Sequence, residues 1–271
     1  MAGAAFLAYE STREVNPITG QTQHIGISQD QEIALGLQSA PEMAQQFGGA
    51  DPDGSVQQDV SGVGERVVAG SAARDSGYRF SFEVLADRQT VNAFALPGGP
   101  VFITRALLDR LENEAQLAGV LGHEVGHVVG RHTSERIAKD QLTQGLLGAV
   151  AVATSDEQGR ATSAAQIAAF VAQLAQLKYG RADETQADEL GVRLMSEAGY
   201  DPRALIAVMA ILARASGGGS QPEFLSTHPD PGNRAEHLQQ VISERYPNGV
   251  PGELTLGRSI VGAAAGDASA R

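Results

Sequence analysis

The segment LGHEVGHVVGRH, residues 121–132, constrains this chain more than any other stretch. His123 and His127 are four positions apart, so on an α-helix about 400° of rotation separates them and both rings leave one face. Asn113 with Gln116 three residues later reads as an N-cap and capping box that open such a helix. Leu117, Val120, Leu121, Val125, Val128 and Val129 make it apolar nearly all round, and a helix of that kind is buried. Glu124 is then the informative residue, because an ionised carboxylate between two histidines in a core is costly without a cation or specific partners. The pattern H-E-x-x-H on a buried helix predicts a metal site with a carboxylate beside it. The bland alternative is two core histidines and a chance glutamate.

Two histidines need a third protein ligand if one position is to stay open for water. The chain has no cysteine, so any zinc is held by His, Asp or Glu, the ligand set of catalytic more than of structural sites. The H-E-x-x-H-x-x-G-x-x-H register would put a third histidine where Thr133 stands, although Gly130 matches. His132 lies nine residues from His123, half a turn away if the helix continues, and is expected at the surface. RADETQAD, 181–188, is the better candidate, because Glu184 and Asp188 share one helical face. From there one carboxylate can reach a metal while the other orients a ligand histidine.

The rest of the chain supports one sizeable domain of 271 residues, mainly helical. Residues 1–27 read as an N-terminal extension whose apolar start, MAGAAFLAY, is too short to span a bilayer. Ser28 and Gln31 open a helix carrying Ile33, Leu37, Ala44 and Phe47, with a kink expected at Pro41. Val56, Val60, Val63 and Val67 mark a second helix over about 54–73. The period then changes. Residues 78–86, 91–96 and 101–104 read as three strands of a small sheet, the last two joined by Pro97-Gly98-Gly99-Pro100. An exposed edge of that sheet, beside the metal helix, suits an extended peptide held by main-chain hydrogen bonds.

Beyond Arg105 helices are expected at 105–112, 114–130, 132–153, 161–178, 181–198, 202–214 and 231–245, with SGGGSQ (216–221) as a flexible connector. The apolar run GLLGAVAVA is too short to span a bilayer, and the polar residues facing it favour a soluble hairpin. Residues 247–271 form a tail without usable periodicity. A net charge of −12 and no Lys/Arg cluster argue against a nucleic-acid partner.

HEVGH, RADETQAD, NAFALPGG and STHP in this order resemble peptidase family M48, the group of HtpX-like, Oma-type and CAAX-prenyl-protease zinc endopeptidases. The resemblance covers about residues 14–245 and includes the VNPITGQ entry of soluble-domain bacterial members. It implies an α+β, mainly α gluzincin metallopeptidase fold over residues 28–246, with a small three-stranded sheet beside the active-site helix. It implies one zinc ion per chain, with His123, His127 and Glu184 as ligands, Glu124 as catalytic base, Asp188 behind a ligand, and Asn92, Ala93, Phe94 and Ala95 bordering the substrate. His228 and Arg234 are candidate donors to the tetrahedral intermediate. In some relatives the STHP histidine can occupy the open zinc position or approach the substrate, so His228 is either a latch or a donor. The implied substrate is an unfolded or extended polypeptide in cell-envelope quality control. The domain is then expected outside the cytoplasmic membrane, anchored upstream of Met1. Two other readings stand beside this one: a latent, chaperone-like relative with a blocked zinc site, and a zinc hydrolase acting on something other than peptides.

Overall fold

The computed structural model describes residues 9–144, 178–216, 222–229 and 233–260. The apolar run GLLGAVAVA with the hairpin expected there, most of the helix expected at 161–178 and the connector after Ser216 lie outside them.

A short hairpin, β1 (Arg13–Val15) and β2 (Thr22–His24), precedes α1 (Gln29–Gln46). Ser28 caps α1 in the expected reciprocal box with Gln31, and the helix continues through Pro41 to its end. Asp53 caps α2 (Gly54–Ala69), which ends earlier than expected because the chain turns at Gly70 into a short 3-10 helix, Ala72–Ser76. Val60, Val63 and Val67 of α2 are buried against the sheet, and Gly64 leaves room for the Phe82 ring.

The sheet contains β3 (Ser81–Leu85), β4 (Ala93–Ala95) and β5 (Pro100–Thr104) in the order β3-β5-β4. β5 is central and buried throughout, which its apolar run requires. It pairs parallel with β3 and antiparallel with β4, through a turn in which Gly98 and Gly99 have φ of 82° and 127°. A side chain at Gly98 would also collide with the backbone of Ile33 on α1. β4 is the sheet edge on the side of the metal helix.

After a one-turn helix, α3 (Arg105–Leu108), comes α4 (Glu114–Val129), buried along its whole length as its apolar surface requires. Asn113 caps it, accepting from the Gln116 amide. The expected box is not reciprocal, because the Gln116 side-chain oxygen accepts from Glu112 N instead. Then follow α5 (His132–Gln144), α6 (Arg181–Glu197), α7 (Arg203–Ser216), α8 (Glu223–Thr227) and α9 (Arg234–Arg245). No helix among the described residues is long and apolar enough to cross a membrane.

Both segments outside 28–246 close the ends of α4. Asn16 and Gln23 donate side-chain N–H groups to the carbonyls of Val129 and Gly130, at 2.8 and 2.6 Å, at its C-terminus. The carbonyls of Arg258 and Leu256 accept from the amides of Glu114 and Ala115 at its N-terminus. These contacts satisfy groups that a buried helix cannot leave without partners.

Candidate functional site

The site begins where α4 and α6 meet. Gly122 and Gly126 of α4 face Ala187 and Gly191 of α6, and a Cβ on Gly191 would stand 3.3 Å from the His123 backbone. Small residues at this crossing let the two backbones approach closely. Short carboxylates on α6 can therefore reach histidines on α4. Asp188 Oδ1 lies 3.0 Å from His123 Nδ1, while the Glu184 oxygens lie 3.5 Å from His123 Nε2 and 3.6 Å from His127 Nε2. The two Nε2 atoms are 3.1 Å apart, so both rings leave one face as the spacing predicts.

His228 ends α8 and enters from the opposite side. Its Nδ1 is 3.0 Å from Glu184 Oε1 and 3.4 Å from His123 Nε2, and its ring stacks on Phe224. One donor atom from each of His123, His127, Glu184 and His228 falls within 4.8 Å of all the others, a group able to hold a metal ion. Beside it the two oxygens of Glu124 are buried without a hydrogen-bond partner. The nearest imidazole nitrogen to them, His228 Nε2, is 3.6 Å from Glu124 Oε1. Buried carboxylate oxygens without hydrogen bonds fit a neighbouring cation and a polar reactant better than a closed apolar core.

Charges reinforce this arrangement. Burial raises the Glu184 carboxyl, but His228, His123 and His127 outweigh it and hold the group well below the usual carboxylate range. Burial likewise opposes ionisation of Asp188, yet Arg234 and the bond to His123 keep it lowered. Burial and the Arg234 charge work against protonation of His123, whereas Asp188 and Glu184 more than compensate and raise it to about 9. His127 is depressed, chiefly by burial.

Arg234 is not open to the cleft. Its Nε and one terminal nitrogen grip the two Asp188 oxygens at 2.8 and 2.6 Å, and the same nitrogen lies 3.1 Å from His123 Nδ1. This position behind His123 suits an orienting role better than the expected donation to an oxyanion. Asn92 and Ala93 are buried, while Phe94 and Ala95 are half-buried on the edge strand. Asn92 donates to Glu223 at 3.3 Å, tying the strand to α8. A cleft lined by Met43, Phe47, Phe94, Leu96, Tyr179 and His228 opens between this edge and the four-residue group.

His132 overturns the expectation of a surface residue. It is buried, with 2% of its surface exposed. The helix does not continue, because Arg131 adopts φ 58° and the ring folds back until its Nδ1 is 2.8 Å from His127 Nδ1. Arg131 is held in that conformation by Glu32, which accepts from its Nε at 3.0 Å, and by the Ile27 carbonyl. Gly130 just after the apolar run was the available signal for a helix end. Tyr179, which stacks on His127 at 3.9 Å between ring centroids, carried no such signal.

A carboxylate, Glu184, brought to the two histidines by a second helix rather than by an extension of the first, gives the fold and site the form of a gluzincin metallopeptidase. Sequence comparison then makes the assignment specific. Residues 55–242 match Peptidase family M48, and the chain belongs to that family. It is 29% identical over 257 residues to a β-barrel assembly-enhancing protease of Yersinia pestis, covering 91% of this chain and 51% of that protein. It is 34% identical over 187 residues to the mitochondrial metalloendopeptidase OMA1 of Schizosaccharomyces pombe, covering 68% and 52%. The Escherichia coli (strain K12) β-barrel assembly-enhancing protease is 28% identical over 254 residues, covering 89% and 50%. The chain thus spans about half the length of these relatives.

Proposed function

We propose that this chain is a zinc-dependent endopeptidase that cleaves unfolded or misfolded polypeptides in the cell envelope and is anchored to a membrane. The observation that carries the reading is the convergence of His123, His127 and Glu184 beside a Glu124 carboxylate with no hydrogen-bond partner. His123, His127 and Glu184 would hold the zinc, which would supply Lewis-acid chemistry to a water and to the scissile carbonyl. Glu124 accepts the proton of the attacking water and delivers it to the leaving nitrogen. Asp188 accepts from His123 Nδ1 and leaves Nε2 bare to face the cluster; Arg234 works through Asp188. His228 is close enough to Glu184 and His123 to serve as a fourth donor at rest, and in that role it would have to leave the open position before water could enter.

An extended substrate fits β4. Asn92, Phe94 and Leu96 sit opposite Thr104, Phe102 and Pro100, with the outer two bonded across the ladder, so the main-chain groups of Ala93 and Ala95 point away from β5. Ala93 is covered, so a peptide would extend the sheet at the half-buried Ala95, and the apolar cleft beside it suits a non-polar side chain. Relatives named for β-barrel assembly and for mitochondrial endoproteolysis support a polypeptide substrate and an envelope setting. They lend no support to a latent, chaperone-like protein.

The test is metal analysis with digestion of casein. Purified protein is expected to carry about one zinc per chain and to cleave the casein internally. Zinc-loaded protein that leaves unfolded substrate intact refutes the reading.

A further inference from the structure

His123 and His127 are supported in different ways. Asp188 stands behind His123 and is itself matched by Arg234. Behind His127, among the described residues, stands not a carboxylate but a second imidazole, with His132 Nδ1 2.8 Å from His127 Nδ1. His132 Nε2 in turn lies 2.7 Å from the side-chain oxygen of Gln186, on α6. We propose that Gln186 and His132 form a neutral relay that fixes the tautomer of His127, so that its Nε2 is bare toward the zinc. The inference rests on the reading of His127 as a ligand.

The direction of the relay follows from the acceptor at its far end. An amide oxygen only accepts, so His132 carries its proton on Nε2. Neutral His132 then has a lone pair on Nδ1, and that nitrogen accepts from His127 Nδ1–H. His127 Nε2 is left without a proton, and this is the atom 3.6 Å from Glu184 and 3.1 Å from His123 Nε2. Rotating the Gln186 amide by half a turn would reverse every bond and place a proton on the very atom that faces the cluster. A carboxylate in the place of His132 would set the same tautomer but bring another buried negative charge beside Glu184 and Glu124. The neutral relay orients the ring without that cost.

Two further features are built around His132. The φ of 58° at Arg131 turns the chain so that the next side chain returns to α4. Gly130 has an ordinary helical φ of −71°, so its lack of a side chain is explained by space: a Cβ there would stand 2.6 Å from His132 Nε2. Tyr179 completes the clamp by stacking on His127, with its hydroxyl 3.1 Å from Thr133 Oγ1.

Nitrogen-15 NMR of the zinc-loaded full chain reads the tautomers directly. The expected result is a proton on Nε2 of His132 and on Nδ1 of His127. Zinc affinity, measured by competition with a chromophoric chelator, gives a second readout. His132→Phe keeps a ring in the space but removes the acceptor, and should weaken zinc binding about 10–100-fold. His132→Gln restores an acceptor and should recover most of the loss. Gly130→Ala, which touches no ligand, should weaken binding by displacing the His132 ring. A proton on His132 Nδ1 in the loaded protein, or unchanged zinc affinity in folded His132→Phe, overturns the relay. If His132→Phe does not fold, the NMR assignment in the unaltered protein decides. An unaltered protein that takes up no zinc refutes the metal-site reading itself, and so is distinguishable from a relay failure with zinc normally bound.

Discussion

Asp188→Asn changes one atom type in a buried pair, and its consequence can be worked from the contacts. Arg234 is 2% exposed and its guanidinium is gripped through two nitrogens by Asp188. The amide keeps one acceptor but loses the charge, leaving a buried cation whose other carboxylate, Glu184, is 3.5 Å away. Removing one partner of a buried ion pair costs about 3–5 kcal/mol, and the retained acceptor places this change near about 3. At roughly 2–4 °C per kcal/mol for a chain near this size, the melting temperature should fall by about 6–12 °C. Denaturant unfolding of chelator-treated protein measures the loss without the linked effect of metal binding. The pH dependence supplies a second signature. Asp188 has a folded pKa below its ordinary value of 3.8, so its stabilisation is present above that value and lost as pH falls through the folded one. The gap between the two proteins should therefore be full at neutral pH and close only in strong acid. A gap under about 1 kcal/mol at neutral pH, or one that persists unchanged into strong acid, refutes the assignment of Arg234 to Asp188.

The remaining expectations concern the cleft. Glu124→Gln should retain zinc and lose turnover, whereas Glu184→Ala should lose the zinc; metal analysis showing the reverse would exchange the two roles. His228→Ala should raise activity on casein if the imidazole competes with water for the metal, and a fall would return it to the donor role. Ala95→Pro removes an N–H directed away from β5, so KM for an unfolded substrate should rise with kcat little changed. An unaltered KM would mean that the substrate does not use this edge.

The core of the site was legible because it depends on local periodicity. Four-residue spacing puts His123 and His127, and separately Glu184 and Asp188, on single faces whatever the rest of the chain does. The α1 cap at Ser28 and the valines of α2 were readable for the same reason. His132 departs from the expectation of a helix running past Gly130, since one left-handed residue at Arg131 changes the direction of every side chain beyond it. Arg234 lies five residues beyond the STHP motif, but its partner is not evident from the sequence, because 46 residues separate it from Asp188.

The sequence by itself determined that a buried helix carries two imidazoles and a carboxylate on a scaffold that is mostly helical, with a short sheet preceding it. Only the tertiary structure decided what surrounds them. The glycine-to-glycine crossing of α4 and α6 brings Glu184 to the histidines, and the N-terminal hairpin and the segment around Arg258 close the ends of α4. Those segments close the helix ends through a few polar hydrogen bonds to main-chain groups, which leave no hydrophobic period in a sequence. The same holds for His132 and Gln186, whose pairing depends on a backbone reversal and a helix contact 54 residues apart. Spacing along one helix is set by its covalent repeat; contacts between helices are set by how closely their surfaces pack.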